Sequence, residues 1–318
     1  MLNSLYLDTL SRHVIDGLKQ TPKRLPSAYF YDDEGSRLFQ RIMQLPSYYL
    51  SNAEREILVT QWPKLLDALS PDGQAFELVE LGSGDGSKTI ELCAAFHRAG
   101  AHMAYQPIDT SAHALHSLQE AFKQRLPDMP VRIQCGDYHL GWQRSTDRSR
   151  QIAMFMGSNL GNLTKEETFV FMRLIRSHLR EGDGLLLGLD LMKNPRTILD
   201  AYNDPEGVTA AFNLNLLARM NRELGTDFKT DRFSHYATYS PLDGAARSFL
   251  VSHCAQTVHS DKLGLRFDFA DGETIYTEQS QKYSQDMITQ MAKNSDFVPK
   301  LRLQDARGLY CVTYWQAL

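Results

Sequence analysis

A glycine-rich turn follows an apolar run in the first third of the chain. The stretch is "ELVELGSGDGSKT" (77–89), in which Gly82, Gly84 and Gly86 alternate with other residues. Glycine loses more backbone entropy on folding than any other residue, so this turn must need a bare backbone. In an open parallel sheet, the turn after a strand brings backbone close to a ligand at the carboxyl edge of the sheet. The stretch therefore predicts a ligand-binding loop.

The spacing of the glycines distinguishes two classes of ligand. A dinucleotide-binding turn has the pattern G-x-G-x-x-G, with the pyrophosphate at the helix N-terminus. Here the third glycine arrives one residue earlier, and Lys88 follows closely. This spacing suits S-adenosylmethionine, whose methionyl end carries a carboxylate and no pyrophosphate. We expect that cofactor, bound in this turn by Gly82, Ser83, Gly84 and Lys88.

Two acidic residues at the ends of the next predicted strands support a nucleoside ligand. Asp109 ends the second strand, where a carboxylate can accept hydrogen bonds from both ribose hydroxyls. Asp137 follows Gly136 in "CGDY", after the third strand, where it can accept a hydrogen bond from the adenine amino group. Either acid alone could be a helix cap or a turn residue. Together with the glycine loop, both favour cofactor binding, and Gly136 is included in the predicted site.

A second polar turn, "GSNLGNLT" (157–164), follows the fourth predicted strand. It precedes a helix that opens with "TKEE", a capping box in which Thr164 caps the helix and Glu167 reaches back. The asparagines could serve turn geometry alone. The amide of Asn162 could equally bind a substrate carboxylate, and the sequence leaves both interpretations open.

These turns need a sheet that brings strand ends to one edge. Short apolar runs over 76–81, 104–108, 131–135, 151–156 and 184–191 alternate with helix-like stretches over 87–98, 111–125 and 164–181. Alternating strands and helices indicate parallel βα units. We therefore predict an α/β fold with a doubly wound, Rossmann-like sheet covered by helices on both faces.

The C-terminal part of the chain has a different pattern. Residues 264–284 alternate apolar and polar side chains around an Asp271-Gly272 turn, which predicts a hairpin. Residues 300–318 predict a second hairpin that adds antiparallel strands to the sheet edge. Residues 195–232 are helical in pattern, with Pro and Gly interruptions, and could join 1–53 in a second domain beside the sheet.

Composition excludes several classes of protein. The net charge of −4 is spread over 318 residues without a basic block, which gives nucleic-acid binding no electrostatic support. The four cysteines lie far apart, with no CxxC or Cys/His cluster, so neither a metal site nor a disulfide framework is expected. The N-terminal residues contain no continuous apolar stretch of membrane-span or signal-peptide type. We expect a cytoplasmic protein that does not bind membranes.

Several long motifs resemble those of the histidine Nα-methyltransferases of the ergothioneine pathway. They are "TPKRLPSAYFYDDEGSRLFQRIMQLPSYYLSNAEREIL" (21–58), "VELGSG", "GSNLGNLT", "AYNDPEGVTAAFNLNLLARMNRELGTDF" (201–228) and "TEQSQKY" (277–283). They occur in the family's order, and the resemblance covers residues from about 20 to about 285. It implies transfer of methyl groups from S-adenosylmethionine to the α-amino nitrogen of L-histidine, three times, to give hercynine.

The resemblance also implies a division into domains. A class I methyltransferase core would comprise 54–192 and 284–318, and a substrate-binding domain would comprise 1–53 and 193–283. No metal is needed for this reaction. The sequence is silent on oligomeric state, and a monomer is the working expectation.

Site residues carry over one at a time. Tyr31, in "YFYDD", matches the tyrosine near the substrate amine, and Tyr48, in "PSYY", matches one beside the imidazole. Asn162 and Tyr202, in "DAYND", match the pair that binds the α-carboxylate. Tyr31 is the predicted catalytic residue, because its oxygen could stabilise the growing ammonium or pass a proton to water. Since an unperturbed tyrosine has a pKa near ~10, it is not expected to act as a general base. Most of the rate acceleration should come from positioning the free amine in line with the methyl group.

The imidazole ring has three further predicted contacts. Glu278 and Ser280, in "TEQS", match two residues that hydrogen-bond the ring. Ser248 departs from the family pattern, because a methionine lines the imidazole pocket in a well-known member. This departure leaves open another aromatic amino acid or a histidine derivative as substrate. Glu278 disfavours prenylated tryptophan, since an indole pocket does not need a carboxylate.

Two alternatives lie outside methyl transfer. A nicotinamide-dependent oxidoreductase is disfavoured by the glycine spacing, by Asp137 and by the C-terminal hairpin. A binding module that has kept the glycine loop without catalysis is the other alternative.

Overall fold

The computed structural model describes residues 2–144 and 149–318, with side chains described from residue 7 onward. The chain divides into two compact units. The antiparallel-sheet unit comprises Met1–Tyr49 and Lys193–Gln281, and the parallel-sheet unit comprises Leu50–Met192 and Lys282–Leu318. In the described part of the chain, no helix combines the length and the apolar content that a membrane crossing requires.

The regular elements are numbered in chain order. The strands are β1 (Lys23–Arg24), β2 (Phe76–Leu81), β3 (Met103–Asp109), β4 (Gln134–Cys135), β5 (Arg150–Phe155), β6 (Gly184–Asp190), β7 (Phe233–Ser240), β8 (Ala245–Ser252), β9 (Gln256–Ser260), β10 (Leu265–Phe269), β11 (Thr274–Gln281), β12 (Phe297–Gln304) and β13 (Tyr310–Ala317). The helices are α1 (Leu2–Leu18), α2 (Asp33–Gln44), α3 (Leu50–Thr60), α4 (Trp62–Leu69), α5 (Ser87–Arg98), α6 (Ala112–Arg125), α7 (Lys165–His178), α8 (Pro195–Tyr202), α9 (Val208–Leu224) and α10 (Gln285–Asn294).

The parallel-sheet unit contains a seven-stranded sheet in the order β12-β13-β6-β5-β2-β3-β4. Strands β2 to β6 run parallel, and β13 joins β6 antiparallel with β12 outside it. This confirms the predicted doubly wound sheet and the C-terminal hairpin at its edge. The strand predicted over 131–135 is shorter than expected, because only Gln134 and Cys135 form β4. Val131 still forms an isolated parallel bridge with Tyr105 of β3, but the ladder is not continuous from there to Gln134.

Helices cover both faces of this sheet, as its apolar strands require. On one face, Ile57 of α3, Ile90 of α5 and Phe122 of α6 pack into one core. On the other face, Phe171 of α7 and Ile288 of α10 pack into a second core. The capping box predicted for the helix after the second polar turn is confirmed at the start of α7. The sheet is therefore a rigid support for the turns at its carboxyl edge.

The chain leaves and re-enters the parallel-sheet unit at adjacent positions. Met192 N–H donates to the carbonyl of Tyr283 at 3.0 Å, and Tyr283 N–H donates to the carbonyl of Asp190 at 2.9 Å. The side chains of Lys282 and Asp190 form an ion pair at 2.9 Å, and both are 0% exposed. Such a pair is costly to bury unless both charges are satisfied. The segment in which the chain leaves the unit and the segment in which it re-enters are therefore fixed to each other.

The antiparallel-sheet unit contains a four-stranded sheet in the order β1-β11-β8-β7 and a two-stranded ribbon of β9 and β10. The hairpin predicted over 264–284 is wrong, because β10 pairs with β9 and β11 pairs with β8 and β1. The Asp271-Gly272 turn is present, but it connects strands of different sheets. Phe269 on β10 packs against Phe228 and Phe233, which holds that strand away from β11.

Helices α8 and α9 pack against β7 and β8 of this unit. Their presence confirms the helical pattern predicted for 195–232. The carboxylate of Asp204 accepts hydrogen bonds from Val208 N–H at 2.9 Å and Thr209 N–H at 2.7 Å, at the start of α9. Burial alone would raise the pKa of Asp204, but its bonds to Thr209 and Val208 lower it. Asp204 therefore remains ionised and holds the connection between the two helices.

Candidate functional site

The glycine loop has the backbone conformation that its sequence predicts. Gly82, Gly84 and Gly86 have φ values of 74°, 54° and 61°. Residues other than glycine seldom adopt positive φ values. At Gly86, which precedes α5, a Cβ atom would lie 2.3 Å from Cδ1 of Leu118 on α6. The third glycine thus allows the two helices to pack closely.

Asp109 at the end of β3 faces this loop. One carboxylate oxygen, Oδ2, accepts a hydrogen bond from Gly84 N–H at 3.0 Å, and Oδ1 accepts one from Ser111 N–H at 2.9 Å. An ionised carboxylate can accept about four hydrogen bonds in all. The carboxylate is therefore fixed against the glycine loop and keeps acceptor capacity for a ligand hydroxyl.

Asp137 and Gly136 lie at the neighbouring strand end. Gly136 N–H donates to the carbonyl of Asp109 at 2.9 Å, which ties the end of β4 to the end of β3. Oδ1 of Asp137 accepts from His139 N–H at 2.8 Å and contacts Nδ1 of His139 at 2.9 Å. Asp137 thus caps a short 3-10 helix, one of the alternatives that the sequence left open. Its side chain is 49% exposed and remains accessible to a ligand.

Ser83 and the surrounding glycines provide a test of whether the loop fits the expected cofactor. The hydroxyl of Ser83 is buried without a hydrogen-bond partner among residues 2–144 and 149–318. Such an orphaned group costs free energy unless a ligand or water satisfies it. A Cβ atom at Gly84 or Gly136 would meet no atom within 4 Å, so the loop is open there. The donor, the acceptors and this space fit S-adenosylmethionine.

Lys88 makes a contact that the sequence did not predict. Its ammonium donates to the carboxylate of Glu54 on α3, and only 1% of that glutamate side chain is exposed. Glu54 also accepts hydrogen bonds from Gly157 N–H at 2.7 Å and from the hydroxyl of Tyr310 at 2.6 Å. One signal was present in the sequence, because Glu54 occupies the apolar face of α3 with Leu50 and Ile57.

Asn162 ends a short 3-10 helix (Asn159–Asn162) between β5 and α7. The turn begins at Gly157, and Ser158 has a φ of 59°, a left-handed conformation unusual for serine. Asn162 therefore lies at the carboxyl edge of the parallel sheet, in the turn that follows β5, and β5 is the neighbour of β2, which leads into the glycine loop. The structure gathers the predicted cofactor residues and Asn162 at this edge.

The predicted ring contacts lie on one face of the antiparallel sheet. Glu278 on β11 lies directly opposite Ser248 on β8, and Ser280 lies opposite Ala246. Residues directly opposite each other in a sheet project from the same face. Ser248 is 2% exposed and Ser280 is 4% exposed, so this part of the face is buried.

A β-bulge at Thr277 makes this arrangement possible. Tyr276 pairs with Phe249 and Glu278 pairs with Ser248, so Thr277 is the extra residue. Its hydroxyl contacts Oδ1 of Asn213 at 2.9 Å and the carbonyl of Ser248 at 3.1 Å. If Thr277 were paired in a regular ladder, Glu278 would project from the same face as Tyr276. The bulge thus turns Glu278 and Ser280 toward the face of Ser248.

Tyr202 and Tyr31 lie close to these strand residues. The hydroxyl of Tyr202, at the end of α8, donates to Oγ of Ser280 at 2.8 Å. Desolvation, the Glu278 carboxylate and Tyr202 together raise the pKa of Tyr31 well above its usual value. Because 46% of Tyr31 is exposed, the Glu278 carboxylate contributes more to this increase in pKa than burial does. Tyr31 is therefore a neutral hydroxyl at physiological pH.

Aromatic contacts link Tyr31 to Tyr48. The ring of Phe39 on α2 lies 5.5 Å from that of Tyr31 and 6.1 Å from that of Tyr48. Phe212 on α9 lies 5.7 Å from Tyr31 and 5.9 Å from Phe39. Edge-to-face contacts of this kind fix ring orientations. The antiparallel-sheet unit thus brings the six predicted substrate residues on its own segments into one region: Tyr31, Tyr48, Tyr202, Ser248, Glu278 and Ser280.

His235 on β7 is a second residue that the sequence analysis missed. Its Nε2 lies 3.2 Å from Oγ of Ser248. Desolvation lowers the pKa of His235 to about 4, although the Asp204 carboxylate acts in the opposite direction. His235 is therefore neutral at physiological pH and forms a polar pair with Ser248. Strand alternation alone gave no signal for this contact, because cross-strand partners depend on register.

Comparison with known proteins gives consistent relationships over nearly the whole chain. Residues 10–317 match the family described as histidine-specific methyltransferase, SAM-dependent. The chain is 38% identical over 274 residues to histidine N-alpha-methyltransferase of Mycobacterium tuberculosis, which covers 86% of this chain and 84% of that protein. It is 38% identical over 289 residues to the protein of that name in Mycolicibacterium smegmatis, which covers 90% and 88%.

A fungal relative is longer than this chain. The identity to ergothioneine biosynthesis protein 1 of Schizosaccharomyces pombe is 28% over 292 residues. That alignment covers 89% of this chain but 38% of the fungal protein.

Proposed function

Because this chain belongs to the family of histidine-specific, S-adenosylmethionine-dependent methyltransferases, we propose that its parallel-sheet unit binds the cofactor and its antiparallel-sheet unit binds the imidazole ring of L-histidine. The family resemblance drawn from the motifs is confirmed, and the chain is an S-adenosylmethionine-dependent methyltransferase. It acts on the α-amino nitrogen of L-histidine, an early step toward ergothioneine. The oxidoreductase alternative is therefore wrong.

The pairing of Glu278 with Ser248 carries the proposed recognition of the ring. The half-buried carboxylate of Glu278 can accept a hydrogen bond from an imidazole N–H. Ser280, two residues further along β11, projects from the same face and supplies a second polar group. An indole ring has one N–H and no basic ring nitrogen, so it would use this face less completely.

The cofactor residues have separate roles in this proposal. S-adenosylmethionine, when bound, supplies an electrophilic methyl group on a sulfonium sulfur. Asp109 accepts hydrogen bonds from the ribose hydroxyls, Asp137 accepts one from the adenine amino group, and Lys88 binds the methionyl carboxylate. The backbone at Gly82, Ser83, Gly84 and Gly136 lets the cofactor approach the sheet edge.

The substrate residues position the amine. Asn162 and Tyr202 bind the α-carboxylate of histidine, and Tyr48 packs beside the ring. The nucleophile is the free amine, so the α-ammonium must lose a proton before each transfer. The raised pKa of Tyr31 excludes a tyrosinate base at neutral pH. Its neutral hydroxyl orients the amine, and the main catalytic contribution is alignment of the lone pair.

We further propose that the enzyme adds three methyl groups and releases hercynine. The test is mass spectrometry of products after incubation with S-adenosylmethionine and a mixture of histidine, tryptophan and tyrosine. We expect histidine alone to gain methyl groups, up to three. Methylation of tryptophan or tyrosine in preference to histidine would overturn the substrate assignment and support the second candidate, another aromatic amino acid. Ser248 motivates that candidate, because its small side chain alters the ring pocket.

The cellular context rests on composition. The cysteines at positions 93, 135, 254 and 311 are free thiols, which supports a reducing compartment such as the cytoplasm. Absence of nucleic-acid and membrane partners, and a monomeric state, stay predictions.

A further inference from the structure

Glu54 is a buried carboxylate on which hydrogen-bond donors from three separate segments converge. They are Lys88 in the first turn of α5, Gly157 after β5, and Tyr310 on β13. We propose that Glu54 is a positioning residue that couples the cofactor-binding loop to the turn carrying Asn162. This inference rests on the proposed function, because it takes Lys88 and Asn162 as ligand-binding residues.

The sheet provides a specific space for the Glu54 carboxylate. A Cβ atom at Gly188 on β6 would lie 2.5 Å from Oε1 of Glu54 and 2.5 Å from the hydroxyl of Tyr310. Any other residue at Gly188 would therefore displace both groups. Gly188 does not have a positive φ. The close approach of Glu54 and Tyr310, and not the backbone conformation, therefore explains why this residue is glycine.

Electrostatics keeps the carboxylate ionised in this space. Burial by itself would raise the pKa of Glu54, but Lys88, Tyr310 and the Gly157 amide together lower it. Burial would lower the pKa of Lys88, but Glu54 raises it. Both groups are therefore charged at neutral pH. Because an unpaired buried charge is strongly destabilising, the Lys88 ammonium is held where Glu54 places it.

The two ends of this network lie on the two ligand-binding turns. Lys88 follows the glycine loop by two residues, and Gly157 opens the turn that ends at Asn162. Replacing the carboxylate by an amide would remove the charge that holds Lys88. Gly157 and Tyr310 donate to one carboxylate oxygen and Lys88 donates to the other. An amide has one acceptor oxygen, so its NH₂ group would face donors in either orientation. The side chain would divide between the two orientations, and both turns would be loosened.

The experiment compares Glu54→Gln with Glu77→Gln. Glu77 is also a buried carboxylate, and it accepts hydrogen bonds from Arg132 at 2.7 Å and from the side-chain amide of Gln151 at 2.7 Å, neither of which belongs to the network of Lys88, Gly157 and Tyr310. Calorimetric titration with S-adenosylhomocysteine gives cofactor-site affinity without turnover, and steady-state kinetics gives KM for histidine.

For Glu54→Gln we expect the affinity for S-adenosylhomocysteine to fall about tenfold and KM for histidine to rise about tenfold, as for loss of a charged hydrogen bond. Glu77→Gln should leave both values unchanged. A lower melting temperature for Glu54→Gln with both affinities unchanged would show a purely structural role and overturn the proposal.

Tyr310→Phe provides a second test if Glu54→Gln does not fold. It removes one donor and leaves the Glu54–Lys88 charges in place. We expect about threefold weakening of both ligands, as for a neutral hydrogen bond, and unchanged affinities would contradict the coupling. If the wild-type protein binds S-adenosylhomocysteine but does not methylate histidine, the proposed function is refuted. The affinity of the variants for S-adenosylhomocysteine would still test whether Glu54 positions Lys88.

Discussion

The two units build their polar sites in different ways. In the parallel-sheet unit, Asp109, Gly136 and the glycine loop come together because parallel strands end at the same edge. In the antiparallel-sheet unit, Glu278, Ser280 and Ser248 project from the middle of a sheet face. A strand-end site depends on the order of strands, whereas a sheet-face site depends on register. The second kind is therefore more easily destroyed by a one-residue change.

Inserting one residue between Ser248 and Phe249, opposite Thr277, should give the largest effect and is the sharpest test of this difference. The insertion gives Thr277 a cross-strand partner, and in the resulting regular ladder Glu278 and Ser280 would project from the same face as Tyr276. We expect kcat/KM for histidine to fall by about 100-fold or more, as for loss of at least two hydrogen bonds, one of them charged. Affinity for S-adenosylhomocysteine, measured by calorimetry, should be unchanged. Thr277→Ser, which keeps the bulge and a hydroxyl, should retain most of the activity.

Glu278→Gln should have the next largest effect. The amide keeps the shape of the side chain but removes the charge that accepts the imidazole N–H. We expect KM for histidine to rise by about 30-fold, within the range for a hydrogen bond to a charged group, with little change in kcat. Tyr236→Phe is a matched control, because Tyr236 lies on β7, is 58% exposed and pairs with Phe249 on the other face. Equal KM values for Glu278→Gln and wild type would contradict the proposed substrate site on the sheet face.

Asp109→Asn tests the strand-end site in the same way. The substitution removes the charge and one acceptor, while the neighbouring Gly84 and Ser111 amides still need partners. We expect affinity for S-adenosylhomocysteine to fall about tenfold. At saturating cofactor, KM for histidine should stay within about twofold of the wild type, because Asp109 makes no proposed contact with histidine. A change confined to histidine binding would contradict the assignment of the two units.

Substitution of His235 should produce the smallest effect, which is a change in the pH dependence of folding stability. Its pKa is about 4 in the folded protein and about 6.5 when unfolded. As the pH falls from about 6.5 toward 4, the unfolded chain binds the proton first, so the folded state loses stability. His235→Gln should therefore reduce the fall in melting temperature over this range. His259→Gln, at a side chain that is 59% exposed, should not.

Comparing each variant with the wild type cancels the other titrating groups. An unchanged pH dependence for His235→Gln would show that His235 is hydrated and not part of the buried face.

The same difference explains what could be predicted from the sequence. The glycine loop and Asp109 were found because glycine spacing and strand ends are local features, and the sheet that positions them follows from alternating strands and helices. The bulge at Thr277 has no local signature, since the pattern of "TEQS" fits either face. The prediction of a hairpin over 264–284 is wrong because β10 pairs with β9 and β11 pairs with β8, and an Asp-Gly turn does not by itself determine strand partners.

Glu54 and His235 show a second limit. Glu54 interrupts the apolar face of α3, which marks it as unusual, but its partners Gly157 and Tyr310 are 103 and 256 residues away in the chain. His235 and Ser248 meet only because β7 and β8 pair in one register. Long-range partners of this kind require the structure.

The chain leaves the parallel-sheet unit at Met192 and re-enters it at Lys282, and these two points are adjacent. Residues 193–281 therefore form an insertion that can be exchanged as a whole. Because the two ends are hydrogen-bonded to each other inside the parallel-sheet unit, this insertion can change in length or sequence without altering strand order in the parent sheet. The segment carries Tyr202, Ser248, Glu278 and Ser280. Evolution can therefore exchange these proposed substrate-binding residues as a block while the proposed methyl-donor site is inherited unchanged.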